Sequence, residues 1–244
     1  KLDNETKNVI LASYVGSRVT IEAREGQRLG EIYGLGFLRS PDGEIVFDSN
    51  GYPLLSSEKV NLGSTTPKWR AGLTNSFRYK NWSASVLLDQ QFGGRVFSLT
   101  NSEMGAQGKS KATLPGRYEG IVGDGVMSDD NGNYVKNTTL ATNIQTYYGR
   151  WFGRDNVEAN TFDASYIKLR EVTLNYKLPA KLLRKTFIKE ATAGLYGRNL
   201  FVWTKFPAYD PETGTLSSST IIPGLEIAQY PSTRTMGLNL QVSF

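Results

Sequence analysis

Three carboxylates, Asp155, Glu158 and Asp163, crowd one short stretch and are the first candidates for chemistry. Carboxylates on facing elements hydrolyse glycosidic bonds, one as acid and the other as base or nucleophile. Here all three lie in sequence without strand periodicity, and no second set of side chains stands by to fix them, so the chain is read as non-enzymatic. Composition closes most other routes. The chain has no histidine and no cysteine, which removes Ser-His and Cys-His nucleophiles, the usual zinc sites and the usual base near neutral pH. Asp129, Asn131 and Asn133 imitate the start of a calcium loop, but Leu140 stands where a bidentate glutamate belongs. The segment Asp130-Asn131-Gly132-Asn133 therefore reads as a hairpin tip, and neither metal nor cofactor is expected.

What remains is binding. Tyr147, Tyr148, Trp151, Phe152 and Arg154 form the densest aromatic group outside any strand pattern. Such a group either grips a sugar or a partner surface, or packs the small core of its own loop. Tyr148, Trp151, Phe152 and Arg154 are taken as candidate substrate or partner contacts, joined further along by Trp203 and Tyr209. The net charge of +5 is dispersed among mixed signs without a long basic run, so no nucleic-acid partner is expected.

These side chains need a scaffold, and the clearest periodicity in the chain supplies one. Met236, Leu238, Leu240, Val242 and Phe244 alternate with Gly237, Asn239, Gln241 and Ser243, giving one apolar face and one small or polar face. About nine to eleven tilted residues cross a bilayer as a strand. Upstream, Trp69, Ala71, Leu73, Asn75, Phe77 and Tyr79 oppose Arg70, Gly72, Thr74, Ser76, Arg78 and Lys80. Across a minimal turn at Asn81, the residues Trp82, Ala84, Val86, Leu88 and Phe92 repeat the pattern. Aromatic rings at both ends of an apolar stripe suit the two interfaces of a membrane; cross-strand packing in a soluble sheet gives the same spacing. Residues 166–178 read as the next strand, with Val172, Leu174, Tyr176 and Leu178 in one phase and Ile167 and Leu169 in the other, which predicts a bulge around Arg170-Glu171. Pro179 then opens a short basic turn over 180–185 at the first helical position, and 191–206 returns as a strand. Nearer the start, 18–24 reads as a strand, 26–38 as a glycine-bent one, and 41–60 as a hairpin excursion turning at Asp42-Gly43 and Asn50-Gly51. Residues 94–164 read as irregular.

The connectors between these strands run long (about 40–66), short (80–82), long (95–164), short (179–190) and long (207–233). That alternation is the topology of an outer-membrane barrel, with long loops outside and short turns in the periplasm. Parity puts Phe244 on the periplasmic side. No run of 18 apolar residues is present to make a transmembrane helix. Lys1-Leu2-Asp3-Asn4 has neither the apolar core nor the cleavage site of a secretory signal, so the chain reads as a mature protein or a fragment. The expected fold is all-β, an antiparallel transmembrane β-barrel segment with long extracellular loops. The alternative is a soluble secreted β-sandwich that binds carbohydrate through loop aromatics such as Trp151 and Trp203.

Several of these segments, in this order, resemble the carboxy-terminal part of SusC/RagA-like TonB-dependent outer-membrane transporters. They are Thr66-Pro67-Lys68-Trp69 with 73–80, Phe92-Gly93-Gly94, the run 164–179, Gly197-Arg198-Asn199-Leu200-Phe201, Tyr209-Asp210-Pro211-Glu212 and the last strand ending on Phe244. The resemblance implies a 22-stranded barrel plugged by an amino-terminal domain, of which residues 1–244 supply about six or seven strands and no plug. It implies as partners the rest of that barrel and plug, a SusD-like surface lipoprotein, outer-membrane lipid, the TonB complex acting through the plug, and an oligosaccharide or peptide as cargo. It also implies an assembly role for Met236, Leu238, Leu240, Val242 and Phe244, because such a strand resembles the signal read by the barrel-assembly machinery.

Overall fold

A computed structural model describes residues 8–14, 16–129, 132–212, 214–217 and 220–244. They form two compact units, each gathered from separated stretches: Pro67–Gly93, Ala164–Pro211 and Tyr230–Phe244 make one, and Lys1–Thr66, Gly94–Asp163 and Glu212–Gln229 make the other.

The first of these is a single antiparallel sheet of five long strands: β1 (Trp69–Tyr79), β2 (Trp82–Phe92), β3 (Tyr166–Lys177), β4 (Glu190–Thr204) and β5 (Thr235–Ser243). They pair in chain order, so the sheet is a meander, and it is open. Directly paired residues share a face, and the register follows the sequence pattern. Leu73 pairs with Leu88, Phe77 with Ala84 and Tyr79 with Trp82; Leu174 faces Ala84 on one side and Leu195 on the other; Leu195 in turn faces Leu238, and Ala193 faces Leu240. One largely apolar face, interrupted by Asn75 and Gln90, therefore runs across the five strands. Rings gather at its two ends: Trp82 against Tyr176 at 4.6 Å near the short turn, and Trp69 against Phe92 and Phe201 against Trp203, each at 5.9 Å, at the other. At ~3.3 Å per residue the stripe from Trp69 to Tyr79 is ~33 Å long, which a tilt of ~40° reduces to the ~25 Å height of a barrel's apolar band.

The predicted bulge is present. Register slips between Leu169 and Glu171 against both neighbours, which returns Ile167 and Leu169 to the apolar side, opposite Trp203 and Phe201. The short connectors share one end of the sheet. Lys80 makes the first turn with φ at 51°. At the second, Pro179 caps the single turn Ala180–Leu183 instead of occupying its first helical position, because Leu178 N–H still bonds Ala191 O at 2.8 Å and keeps the chain extended up to the proline. Phe244 lies at this same end, its ring 5.5 Å from Phe187.

The opposite face is polar and tied by cross-strand pairs: Arg70 to Gln91 at 2.7 Å, Arg198 to Glu171 at 2.9 Å, and Arg170 to Asp89. Gly237 is required there, since a Cβ would stand 2.6 Å from the Tyr196 ring that covers it.

The second unit carries a four-stranded antiparallel sheet of Asn8–Ser13, Thr20–Arg24, Glu31–Phe37 and Leu55–Ser64, in that order. The third strand is irregular against the fourth, with register shifts between Ile32 and Tyr33 and, around Gly36, between Leu35 and Phe37; Gly34 stays in register and admits a neighbour, since a Cβ there would meet Val157 at 2.4 Å. The hairpin excursion ends sooner than its turns suggest. Turns close at Gly43 and Gly51, but residues 55–64 are a strand whose sequence, LSSEKVNLGS, has little alternation and is ordered by pairing with Glu31–Phe37.

Residues 94–163 are not irregular. They hold two helices, α1 (Leu99–Ala106) and α2 (Ile144–Phe152), capped by Ser98 and Asn143 side chains that accept the Asn101 and Thr146 N–H groups at 3.0 Å. The helices meet where α1 carries Gly105, against the Phe152 ring. Leu225–Glu226 returns to pair in parallel with Arg95–Ser98. Of the tip predicted at 130–133, residues 130 and 131 lie outside the described set; Asp129 and Asn133 flank it with an N–H to O bond of 2.9 Å.

Candidate functional site

The aromatic group predicted as a contact site is built on α2. Ile144, Tyr147, Tyr148, Trp151 and Phe152 recur at helical spacing, so one face of the helix is ring-lined. Tyr147 meets Tyr148 edge-on at 5.2 Å and stacks on Trp151 at 5.9 Å; Trp151 tilts against Phe37 at 4.7 Å, and Tyr148 stacks on Phe152 at 6.1 Å. With Phe47 and Ala141 these rings form a core of their own. Tyr148 is buried and donates its hydroxyl to Pro115 O at 3.0 Å; Trp151 and Phe152 are half-buried. Arg154, exposed just beyond the helix, pairs with Glu103, and its guanidinium, being hydrogen-bonded to that carboxylate, holds Glu103 below the usual carboxylate range.

Burial, and secondarily the neighbouring Tyr148, pushes the Tyr147 hydroxyl up to about 12. A raised folded-state value means the contribution to stability is whole below the ordinary tyrosine value of ~10 and is lost as pH rises toward 12. Alkaline titration followed by near-ultraviolet circular dichroism is expected to show loss of ring asymmetry across that window, and Tyr147→Phe is expected to move the loss to higher pH.

The carboxylates weighed for catalysis have structural partners. Glu158 accepts Phe37 N–H at 2.8 Å and Arg39 at 2.6 Å, and Asp155 lies 3.7 Å from Arg18. No cluster of metal-ligating side chains occurs among the described residues.

Trp203 and Tyr209 belong to the other unit. Trp203 stands at the end of the apolar face beside Phe201. Tyr209 is half-buried and precedes Asp210, whose buried carboxylate meets Lys168 Nζ at 2.8 Å. Met236, Leu238, Leu240 and Val242, for which the resemblance implies an assembly role, occupy the apolar face of β5.

Two features went unread in the sequence. One is the Lys168–Asp210 pair, quoted above only as part of two motifs. The other is a cleft of about 280 Å³ bounded by Gln107, Thr113, Arg117, Ile144, Gln145 and Tyr148. Its one advance signal is compositional: residues 104–118 hold Lys109, Lys111 and Arg117 and no acid.

No family model matches the chain. Two proteins of Formosa agariphila are similar in sequence: TonB-dependent receptor P3, 27% identical over 252 residues that cover 92% of this chain and 23% of the relative, and TonB-dependent receptor P26, 27% identical over 231 residues covering 85% and 20%. In fold, the RagAB peptide transporter aligns over 100% of this chain and 25% of its own, with a TM-score of 0.60 at 17% identity; the RagAB peptide importer in its open-open state gives 0.63. The chain thus spans about a quarter of the length of the proteins it matches. In sequence over most of its length and in fold over all of it, the chain resembles TonB-dependent receptors of the SusC/RagA kind, as its motifs imply.

Proposed function

We propose that the chain is the carboxy-terminal portion of a TonB-dependent outer-membrane importer, with β1–β5 as barrel wall and the loop-rich unit outside the cell. The observation that carries this is the five-strand apolar face with rings at both ends. It exposes Leu73, Phe77, Leu195, Leu238 and Leu240, a greasy area far beyond what a soluble monomer shows to water. Lipid covers it, and the polar face lines the lumen. The connectors support the orientation: both short ones and Phe244 share one end, which is the periplasmic one in a barrel of this type. The plug and the contact with the TonB complex then belong to other parts of the polypeptide, and a SusD-like lipoprotein closes the outer mouth. The cargo is an oligomeric nutrient. Likeness to peptide transporters supports a peptide, and the mixed amide, hydroxyl and ion-pair wall suits a glycan equally. The chain carries out no covalent step.

Fractionation of the full-length polypeptide tests the reading. It is expected in the outer-membrane pellet, resistant to salt and alkaline carbonate and released only by detergent. Release by salt as a monodisperse protein in plain buffer favours the soluble carbohydrate-binding sandwich and overturns the wall assignment.

A further inference from the structure

The end of the five-stranded sheet that carries both short connectors is strongly basic. Arg78, Lys80, Lys177, Lys181, Arg184, Lys185 and Lys189 gather there, and Glu190 is the one acidic side chain in residues 76–84 and 177–190. Glu190 pairs with Lys177 at 2.7 Å, where both side chains are more than half exposed. The sheet's other acids leave nothing over for this end: Asp210 takes Lys168, Glu171 takes Arg198 and Asp89 takes Arg170. Lys181, Arg184, Lys185 and Lys189 are exposed and have no carboxylate partner among the described residues.

Charge by itself is a solvated surface, and the apolar side chains set among these cations are a second, independent feature. Phe187 is 79% exposed and stacks on the exposed ring of Phe244, the planes 18° apart. Phe244 keeps the phase of Leu240 and Val242, so the two rings carry the apolar face of the sheet beyond its last paired residues. Leu182, in the same connector, is also exposed, while Leu183 beside it is buried. The order along the chain interleaves the two kinds of group: Lys181 and Arg184 flank the leucines, and Lys185 and Lys189 lie two residues to either side of Phe187. Water covers such rings poorly. A free anion would match the cations and leave the rings wet, whereas a lipid with a charged headgroup covers both, its acyl chain on the apolar groups and its phosphate within reach of flexible lysine stems.

We propose that the connector 178–190, together with Phe244, seats an anionic phospholipid at the margin of the membrane. The acyl chain lies against Leu182, Phe187 and Phe244, and the headgroup sits among Lys181, Arg184, Lys185 and Lys189. A zwitterionic phospholipid offers the same chain and phosphate, but its ammonium is repelled by the cluster, so the site selects on net headgroup charge. The inference rests on the wall reading and adds to it a lipid preference at one end of the strands.

Native mass spectrometry of the full-length protein in mild detergent tests this by titration with phosphatidylglycerol and, separately, phosphatidylethanolamine. Phosphatidylglycerol is expected to bind roughly tenfold or more tightly, as several basic residues at an anionic surface imply, and raising the salt should erode the preference because the cations are exposed. Changing Lys181, Arg184, Lys185 and Lys189 together to Gln should bring phosphatidylglycerol down to the affinity of phosphatidylethanolamine, while Lys68→Gln with Lys205→Gln, outside the connector, should leave the preference intact. Phe187→Ser should weaken both lipids and keep their ratio. Equal binding of the two lipids by the unaltered protein, a preference indifferent to salt, a preference retained in the fourfold variant, or displacement of the lipid by millimolar inorganic phosphate would each overturn the proposal. The salt series needs no variant, so it decides even if the fourfold change prevents assembly. A protein that fractionates with the outer membrane yet binds both lipids equally fails this proposal alone, whereas one released by salt into plain buffer fails the wall reading first.

Discussion

Asp210→Ala is expected to destabilise the five-stranded unit by about 3–5 kcal/mol, the cost of stranding one member of a buried ion pair. Lys168 Nζ lies 2.8 and 2.9 Å from the two Asp210 oxygens, and the side chains are only 4% and 9% exposed. The ammonium also sits 4.4 Å from the centre of the Tyr166 ring. Alanine removes the Asp210 carboxylate from beside that buried ammonium. The pair matters to architecture because Asp210-Pro211 begins the long connector after β4, and the bond fastens it to β3. The measurement is a heat-induced shift of the full-length protein from its folded to its unfolded mobility on gels run in mild detergent. Combining Lys168→Met with Asp210→Leu should recover most of the loss, since replacing both charges with apolar groups of similar size is often neutral. A single variant as stable as the parent, or a double variant no better than the single, sinks the account.

Leu238→Arg is expected to cost about 2–4 kcal/mol, the range for a cation placed on the lipid face of a barrel strand, while Asn239→Arg one residue away should cost little. Both side chains are on β5, where Leu238 pairs with Leu195 on the apolar side and Asn239 with Gly194 on the polar side. Leu238 is 81% exposed. If water covered it, arginine there would change stability by no more than about 0.5 kcal/mol. The contrast between adjacent positions thus reports the solvent directly. Urea unfolding in lipid vesicles reads it, and equal effects at 238 and 239 would remove the case for lipid.

How far the sequence reached depended on where the ordering forces came from. β1, β2 and β5 were legible because alternation of residues such as Leu73, Leu88 and Leu240 is itself the cause of their facing. The bulge in β3 was legible as a phase conflict between Leu169 and Val172. By contrast α1, with the sequence LTNSEMGA, contains glycine and little apolar periodicity. Its start is fixed from 126 residues away by Glu226, fully buried, which accepts Thr100 N–H at 3.1 Å, Thr100 Oγ1 at 2.7 Å and Ser98 Oγ at 2.6 Å. No local pattern encodes such a bond. α2 does have a local cause, since Ile144, Tyr147, Tyr148, Trp151 and Phe152 have helical spacing. The contact candidates among them pack their own core, as one of the two sequence readings held, and Tyr148 also borders the Arg117 cleft.

The meander leaves the outer margin of β1 and that of β5 without a neighbour among the described residues. In water, two such flanks on a plate with one oily side are a template for runaway growth, copy joining copy into ribbons. On the proposed wall reading, the cell must deliver these strands to lipid and to their companions before they are left alone in solution, and a laboratory preparation must reproduce that order.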